Sequence, residues 1–184
     1  MSVQTRSQLA ASAATITAET AAAANTATRV GGLFDDLADT ATVDRERGVA
    51  SLHITSAVSF TPTLNTAVKI TSTMTAGIVS TYNFTQNASS ITYTGAISAA
   101  VRVAAQVVFS GQNNQEYIVY VAKNGSIISQ SAFNQTTQGT HSHGYISEAY
   151  LNAATSDEFT VYLNAVGSAA AISIKSLTFT VHTL

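Results

Sequence analysis

The sequence predicts a mainly β protein, a jelly-roll β-sandwich preceded by a short N-terminal α-helical segment. Three observations favour this fold class. Beyond residue 47, apolar residues alternate with period two in several short segments, and no helical pattern separates them. These segments recur about every 8–12 residues, which is typical of sandwiches and jelly rolls. More than half of the charged residues precede Gly48. We therefore divide the chain into a helical segment, residues 1–47, and a jelly-roll head domain, residues 48–184.

The N-terminal segment carries the helical signals. Residues 7–24 are rich in Ala and contain neither Gly nor Pro. Apolar residues spaced by seven form one edge of a coiled-coil seam, but the other edge is largely polar, and Gly31 and Gly32 interrupt the series. Each Gly inside a helix costs about 1 kcal/mol. We predict a weak helix and then a second short helix over residues 30–38, neither of which is stable alone.

An apolar surface of the second helix has nothing local to cover it. It consists of Val30, Leu33, Phe34 and Leu37. A marginal helix with such a surface needs a partner to fold against, so these four residues are candidates for docking onto another protein.

The head domain carries the strand signals. The longest alternation places Val101, Val103, Ala105, Val107 and Phe109 on one face. Other predicted strands are Val58–Phe60, Val68–Met74, Ile91–Tyr93, Tyr117–Ala122, Tyr145–Leu151, Phe159–Leu163 and Ile172–Val181. The strand Tyr117–Ala122 is apolar on both faces, which predicts burial on both sides.

Two local signals refine these strands. Asn124-Gly125 follows Tyr117–Ala122 and predicts a hairpin, because both residues tolerate positive φ. In Ile172–Val181 the apolar residues change parity, which predicts a β-bulge near Lys175.

Charge is scarce in the head domain. Residues 48–184 hold eight charged side chains, against ten in residues 1–47. An average soluble domain is roughly 25% charged. Either much of the outer surface is buried against copies of itself or other proteins, or a monomer stays soluble through Ser, Thr, Asn and Gln.

Several functional classes are disfavoured by composition. A net charge of −2 gives no basic surface for nucleic acid, and no apolar run approaches the roughly 20 residues that span a membrane. We see no secretion signal after Arg6. The chain has no Cys, so disulfides and thiolate metal sites are excluded. No cofactor is expected.

Catalytic and ligand sites are sparse. No nucleophile, phosphate-loop or metalloprotease motif occurs, so we expect no enzymatic activity. His141 and His143 have the spacing of metal ligands on a strand, but the flanking glycines favour a solvated loop. Tyr145 and Tyr150 follow this loop and are candidates for stacking on a sugar, with strand core or a subunit interface as the alternative.

Two stretches resemble bacteriophage virion proteins. Residues 97–184 resemble the C-terminal jelly-roll domains of phage fibres, which are similar in shape to the trimeric heads of tumour necrosis factor and complement proteins. The matching residues are Val107–Gly111, Tyr120–Gly125, Tyr150–Asn152 and Ile172–Phe179. Residues 25–40 are similar to the N-terminal segment of many phage tail-fibre and appendage proteins. The two stretches cover about half of the chain. A jelly roll by itself says little about function.

The resemblance implies a homotrimeric structural protein on the virion surface, assembled in the cytoplasm of a bacterial host. A head fibre, a capsid decoration and a short tail fibre all fit, with the N-terminal helices anchored to capsid, portal or tail proteins. For the trimer interface we predict Tyr117, Val119, Tyr120 and Phe179. The alternatives are a module that recognises a host-surface glycan or protein, and a polysaccharide-degrading appendage enzyme.

Overall fold

The computed structural model describes Gly32, Phe34 and residues 48–79, 83–138 and 141–184. The chain divides into two compact units, Met1–Arg47 and Gly48–Leu184. In the first unit, Gly32 and Phe34 are helical. Val30, Leu33 and Leu37 lie outside the described residues.

The second unit is a sandwich of two antiparallel sheets. Its strands are β1 Val49–Ile54, β2 Val58–Phe60, β3 Val68–Lys69, β4 Thr75–Val79, β5 Phe84–Asn87, β6 Ser90–Tyr93, β7 Ala99–Ser110, β8 Glu116–Lys123, β9 Ser126–Ile127, β10 Phe133–Thr136, β11 His143–Ala153, β12 Glu158–Val166 and β13 Ile172–Thr183. The six-stranded sheet has the order β11-β7-β13-β1-β4, with β2 beside β13. The seven-stranded sheet has the order β10-β8-β12-β6-β5, with β3 beside β12 and β9 beside β8. The predicted jelly-roll sandwich is confirmed.

The core lies between the two sheets and follows the period-two pattern. In β7, the five residues from Val101 to Phe109 that were assigned to one face are all buried, and the residues between them face outward. In β12, Phe159, Val161 and Leu163 are likewise buried. Burying each side chain of this size contributes about 1.5–3 kcal/mol.

Two aromatic clusters fill opposite parts of this core. Phe109 stacks on Tyr145 with ring centroids 4.4 Å apart and meets Tyr117 edge-on at 5.0 Å. Phe84 and Tyr93 form a separate edge-on pair at 5.5 Å, and the Tyr93 hydroxyl donates a hydrogen bond to a backbone carbonyl. Offset and edge-on pairs of this kind add about 0.5–1.5 kcal/mol beyond area burial.

A β-bulge lets β13 keep its apolar residues inside. Ile174 pairs with Phe109, but the next pair is Ser176 with Val108, so Lys175 is the extra residue. After the bulge, Leu177 begins the second set of buried residues in this strand. The predicted bulge is confirmed.

The predicted hairpin is also confirmed. Asn124 and Gly125 join β8 to β9, with φ of 51° and 76°. The outer face of β8 differs from prediction, because Ile118 and Tyr120 are half-buried in the single chain.

Other strand assignments needed correction. The sequence pattern did not predict β1, β4, β5 and β10. The predicted strand Val68–Met74 is wrong beyond Lys69, because the chain leaves the sheet there and β4 begins only at Thr75.

Two buried serines form hydrogen bonds with backbone groups in and around the connection between β9 and β10. Residues Ser129–Ser131 form a single 3-10 turn there. The Ser131 hydroxyl accepts a hydrogen bond from the Val121 amide at 3.0 Å and donates one to the Ile128 carbonyl at 2.7 Å. Ser147 on β11 donates to the Ser131 carbonyl at 2.7 Å. These bonds tie the two sheets together and leave the buried hydroxyls partnered.

The turn before β12 is held by a polar network around Asp157. Its carboxylate accepts hydrogen bonds from the Ala154 amide at 2.6 Å and the Asn124 side chain at 2.7 Å, and it pairs with Lys123 at 2.6 Å. Burial raises the pKa of Asp157, but the Ala154, Lys123 and Asn124 hydrogen bonds and the Lys123 charge outweigh it and lower that pKa. Ser156 in this turn has φ of 74°.

Replacing Ser156 by Gly is expected to raise stability by about 0.5–1 kcal/mol, because Gly adopts positive φ without the clash of a Cβ. Thermal unfolding of the full chain measures the change. The control is Ser142→Gly at an exposed residue without positive φ. It should lower stability by a few tenths of a kcal/mol through the unfolded state. Equal losses in both variants would show that the Ser156 conformation costs nothing.

Candidate functional site: the outer face of the six-stranded sheet

The side of the six-stranded sheet that faces away from the core is built from three neighbouring rows of side chains. Strand register puts one residue of β11, β7, β13 and β1 in each row. The rows are Tyr150, Arg102, His182 and Val49; Glu148, Ala104, Thr180 and Ser51; and Ile146, Gln106, Thr178 and His53. We call these twelve residues the six-stranded face.

The middle of this face is small and neutral. Ala104 and Thr180 lie opposite each other in its centre. Ser51 follows on the next strand but is buried, and its hydroxyl accepts a hydrogen bond from the Ile78 amide at 3.0 Å. Side chains of this size leave the sheet backbone close to the surface, so another sheet edge or strand can approach it closely. Among the three rows, Arg102 and Glu148 carry the only full charges.

Arg102 and Glu148 neutralise each other. Their closest nitrogen and oxygen atoms are 2.5 Å apart, and their side chains are partly exposed, 41% and 28%. The hydrogen bond from Arg102 lowers the pKa of Glu148, and a hydrogen bond with Tyr150 lowers it further. The same Tyr150–Glu148 bond raises the pKa of Tyr150. Neutralised in this way, the pair adds little net charge to the face.

The edge of this face is apolar. On the edge strand β11, the Ile146 side chain is 57% exposed and that of Tyr150 is 65% exposed. On β4, at the other end of the sheet, Ile78 is 68% exposed. A neutral face with exposed apolar side chains at its two edges has the chemistry of a protein–protein interface.

The predicted trimer-interface residues need correction. Tyr117, Val119 and Phe179 are completely buried inside the sandwich of one chain, so they have no side-chain surface to offer to a neighbouring copy. The physical reason is strand parity, because Tyr117 and Val119 share the inward face of β8. Only Tyr120 points outward, and it lies on the seven-stranded sheet.

The predicted ligand loop is not assembled as one site. Tyr145 is completely buried and stacks on Phe109, so it cannot contact a sugar, and its alternative assignment to the strand core is the correct one. Tyr150 is exposed and belongs to the six-stranded face.

The two histidines occupy different positions. His141 is exposed and precedes β11, whereas His143 begins that strand. The Gln138 amide donates a hydrogen bond to Nε2 of His143 at 3.0 Å, which occupies the lone pair that a metal ion needs. Within the described part of the chain, no three His, Asp or Glu side chains group closely enough to hold a metal ion.

Sequence reasoning missed the six-stranded face. The alternation of β7 already separates Arg102, Ala104 and Gln106 from the buried residues. The alternation does not show that Thr180 and Glu148 lie beside Ala104, because strand register places them there and these residues are far apart in the sequence.

Comparison with known proteins supports the fold. No protein-family model and no curated protein matches the sequence. The PRD1 vertex protein P5 is similar in structure, with a TM-score of 0.52 and 14% identity over 74% of this chain and 96% of that chain. Murine APRIL gives a TM-score of 0.50 and 10% identity over 76% of this chain and 100% of that chain.

The globular domain of the zebrafish complement 1qA protein is similar to the same extent. Its TM-score is 0.50, with 10% identity over 76% of this chain and 97% of that chain. At these identities the likeness shows a shared jelly-roll fold. Separately, none of the helical residues in the described ranges belongs to a helix long and apolar enough to cross a membrane.

The contribution of the Arg102–Glu148 pair to folding stability can be tested by changing the pH. Because the pKa of Glu148 is lowered in the folded state, its stabilising effect is present above the unfolded value of about 4.3 and is lost as pH falls through the folded value. We expect Glu148→Gln to cost less than about 1 kcal/mol at pH 7, since exposed pairs are weak. Near pH 2 the variant and the wild type should unfold alike in urea.

A double-mutant cycle separates the pair from other effects. Arg102→Met and Glu148→Gln should couple at low salt, and 0.5 M NaCl should weaken the coupling. A coupling energy of zero at pH 7, or one independent of pH, would contradict the assignment.

Proposed function

We propose that this protein is a homotrimeric structural component of a bacteriophage virion: a head fibre, a capsid decoration or a short tail fibre. Its N-terminal segment attaches to capsid, portal or tail proteins, and its jelly-roll head projects from the particle surface. The resemblance of residues 25–40 to phage appendage proteins supports the attachment role. A phage vertex protein among the proteins of similar fold is consistent with the virion setting. The proposal assigns the chain no catalytic activity.

The six-stranded face is the observation that carries the oligomeric part of the proposal. Its centre is small and neutral around Ala104, while the edge strand β11 exposes Ile146 and Tyr150. Both edges and faces are present on every copy, so the edge of one copy can pack on the face of the next. Such a head-to-tail contact closes into a ring when the rotation fits, and the resemblance implies a ring of three.

Burial at this face would also account for the shortage of charge. The eight charged residues of the head domain include Arg102 and Glu148, which pair with each other, and Lys69 and Glu158, which also pair. An obligate interface is more apolar than ordinary surface and carries few charges at its centre. The neutral face fits that composition.

The attachment role rests on the first unit. Phe34 is helical and 64% exposed, so its ring is open to a partner. Val30, Leu33 and Leu37 complete the predicted apolar surface by their helical spacing. A particle protein with an apolar groove is the partner that such a surface fits.

A charge in the centre of the six-stranded face should prevent assembly. We expect the wild-type chain to scatter light as a trimer of about 57 kDa, three times the 19.1 kDa of one chain, and Ala104→Arg to scatter as a monomer. The matched control is Thr85→Arg on exposed β5 of the other sheet, which should remain trimeric. A wild-type monomer at micromolar concentration would refute the proposed trimer.

Loss of the apolar attachment surface should remove the protein from particles. We expect Leu33→Ser combined with Phe34→Ser to reduce incorporation at least tenfold, measured by immunoblot of purified particles, with the head still folded by circular dichroism. Thr26→Ser with Thr28→Ser is the control in the same segment and should incorporate normally. Normal incorporation of the first double variant would mean that another surface makes the contact.

A further inference from the structure

The outer side of the seven-stranded sheet carries a pair of adjacent tyrosines. Tyr120 on β8 lies directly opposite Tyr162 on β12, and Lys69 on β3 lies on the other side of Tyr162. Directly opposite residues on antiparallel strands have Cβ atoms about 4.5–5.5 Å apart, so the two side chains leave the sheet next to each other. Both tyrosines are half-buried, which leaves part of each exposed. We call this pair the tyrosine platform.

Polar groups around the platform are unused. In the described part of the chain, neither the Tyr120 nor the Tyr162 hydroxyl has a hydrogen-bond partner, whereas buried Tyr93 and Tyr145 donate to backbone carbonyls. Both hydroxyls belong to half-buried side chains that keep some exposed surface, so a ligand can use them as donors and acceptors.

The charged residues around the platform already have partners within the chain. Lys69 is paired with Glu158 at 3.1 Å, and Glu116, at the far end of β8, accepts a hydrogen bond from Asn134. An acidic sugar would therefore have to compete with Glu158 for its cation.

The hairpin turn borders the platform at one end. A Cβ added at Gly125 would lie 4.0 Å from the hydroxyl of Tyr162, so the glycine places no side chain against that hydroxyl. Ile127, on the short strand after the turn, is 38% exposed and adds apolar surface next to β8.

We propose that the tyrosine platform binds a neutral glycan. The apolar C–H face of a sugar ring packs on an aromatic ring, and its hydroxyl groups exchange hydrogen bonds with tyrosine hydroxyls. Paired charges and two tyrosine hydroxyls without a protein partner match a neutral polyhydroxyl ligand. A protein partner would require a larger exposed apolar area at its centre than two half-buried rings provide.

This recognition role goes beyond the proposed structural function and does not depend on it. Tyr120 and Tyr162 belong to one chain, and they lie on the sheet opposite to the one that carries the proposed oligomer contact. If that contact forms, the platform faces outward from the assembly. Oligomeric state and glycan binding are therefore separate measurements.

The first test applies the full chain to an array of neutral and acidic oligosaccharides from bacterial surface polysaccharides. We expect binding to at least one neutral oligosaccharide, and a loss of affinity on the order of tenfold in Tyr120→Ala and in Tyr162→Ala. The control is Ile97→Ala, which removes an exposed apolar side chain between β6 and β7, outside both proposed surfaces, and should leave binding unchanged. Light scattering of the same samples reports oligomeric state independently.

The second test needs no variant and so does not depend on variant folding. With ¹³C-labelled tyrosine in the wild-type chain, the bound oligosaccharide should shift the ring signals of Tyr120 and Tyr162, and leave those of buried Tyr117 and Tyr145 in place. Absence of binding to every neutral oligosaccharide, binding to acidic ones alone, or shifts confined to Tyr150 would each overturn the proposal.

Discussion

The pairing of β7 with β11 on one side and β13 on the other is the interaction on which the rest of the structure depends. β7 is twelve residues long and alternates without interruption, so Val101 to Phe109 enter the core at every second position. A one-residue slip against either neighbour would turn those side chains to the outside. The register of this strand therefore decides which residues of β11 and β13 form the core and which form the surface.

Two local features allow that register to persist across a long sheet. The bulge at Lys175 absorbs the change of parity in β13, so that Ile174 and Leu177 both point inward although they are three residues apart. In the seven-stranded sheet, between β9 and β10, the Ser131 hydroxyl accepts a hydrogen bond from the Val121 amide and donates one to the Ile128 carbonyl. Without such partners, a buried amide or carbonyl would cost about 1–3 kcal/mol.

The two outer faces of the sandwich differ in chemistry although both are poor in free charge. The six-stranded face is small at its centre, carries one compensated ion pair and exposes Ile146 and Tyr150 at its edge, which suits contact with another copy. The other sheet presents Tyr120 and Tyr162 with unused hydroxyls, which suits a polar ligand with one apolar face. Our two proposals therefore place assembly on one sheet and recognition on the other.

The sequence alone determined the features that depend on near neighbours. Period-two alternation identified β7 and its inward residues, Asn124-Gly125 identified the hairpin, and the change of parity identified the bulge at Lys175. β1 was not predicted, although Ala50, Leu52 and Ile54 alternate with Ser51 and His53 in the same period of two. The scarcity of charge in residues 48–184 is likewise a property of the sequence alone, whereas the attachment surface around Phe34 stays a prediction.

Tertiary structure decided everything that required two strands to be placed side by side. Alternation shows that Tyr117 and Tyr120 point to opposite faces, but not which face is the core, and that is why Tyr117 was assigned to an interface it cannot reach. The six-stranded face and the Tyr120–Tyr162 pair are each formed by residues from different strands. The register of long-range strand pairs is set by the packing of the whole core, and no local pattern in the chain records it.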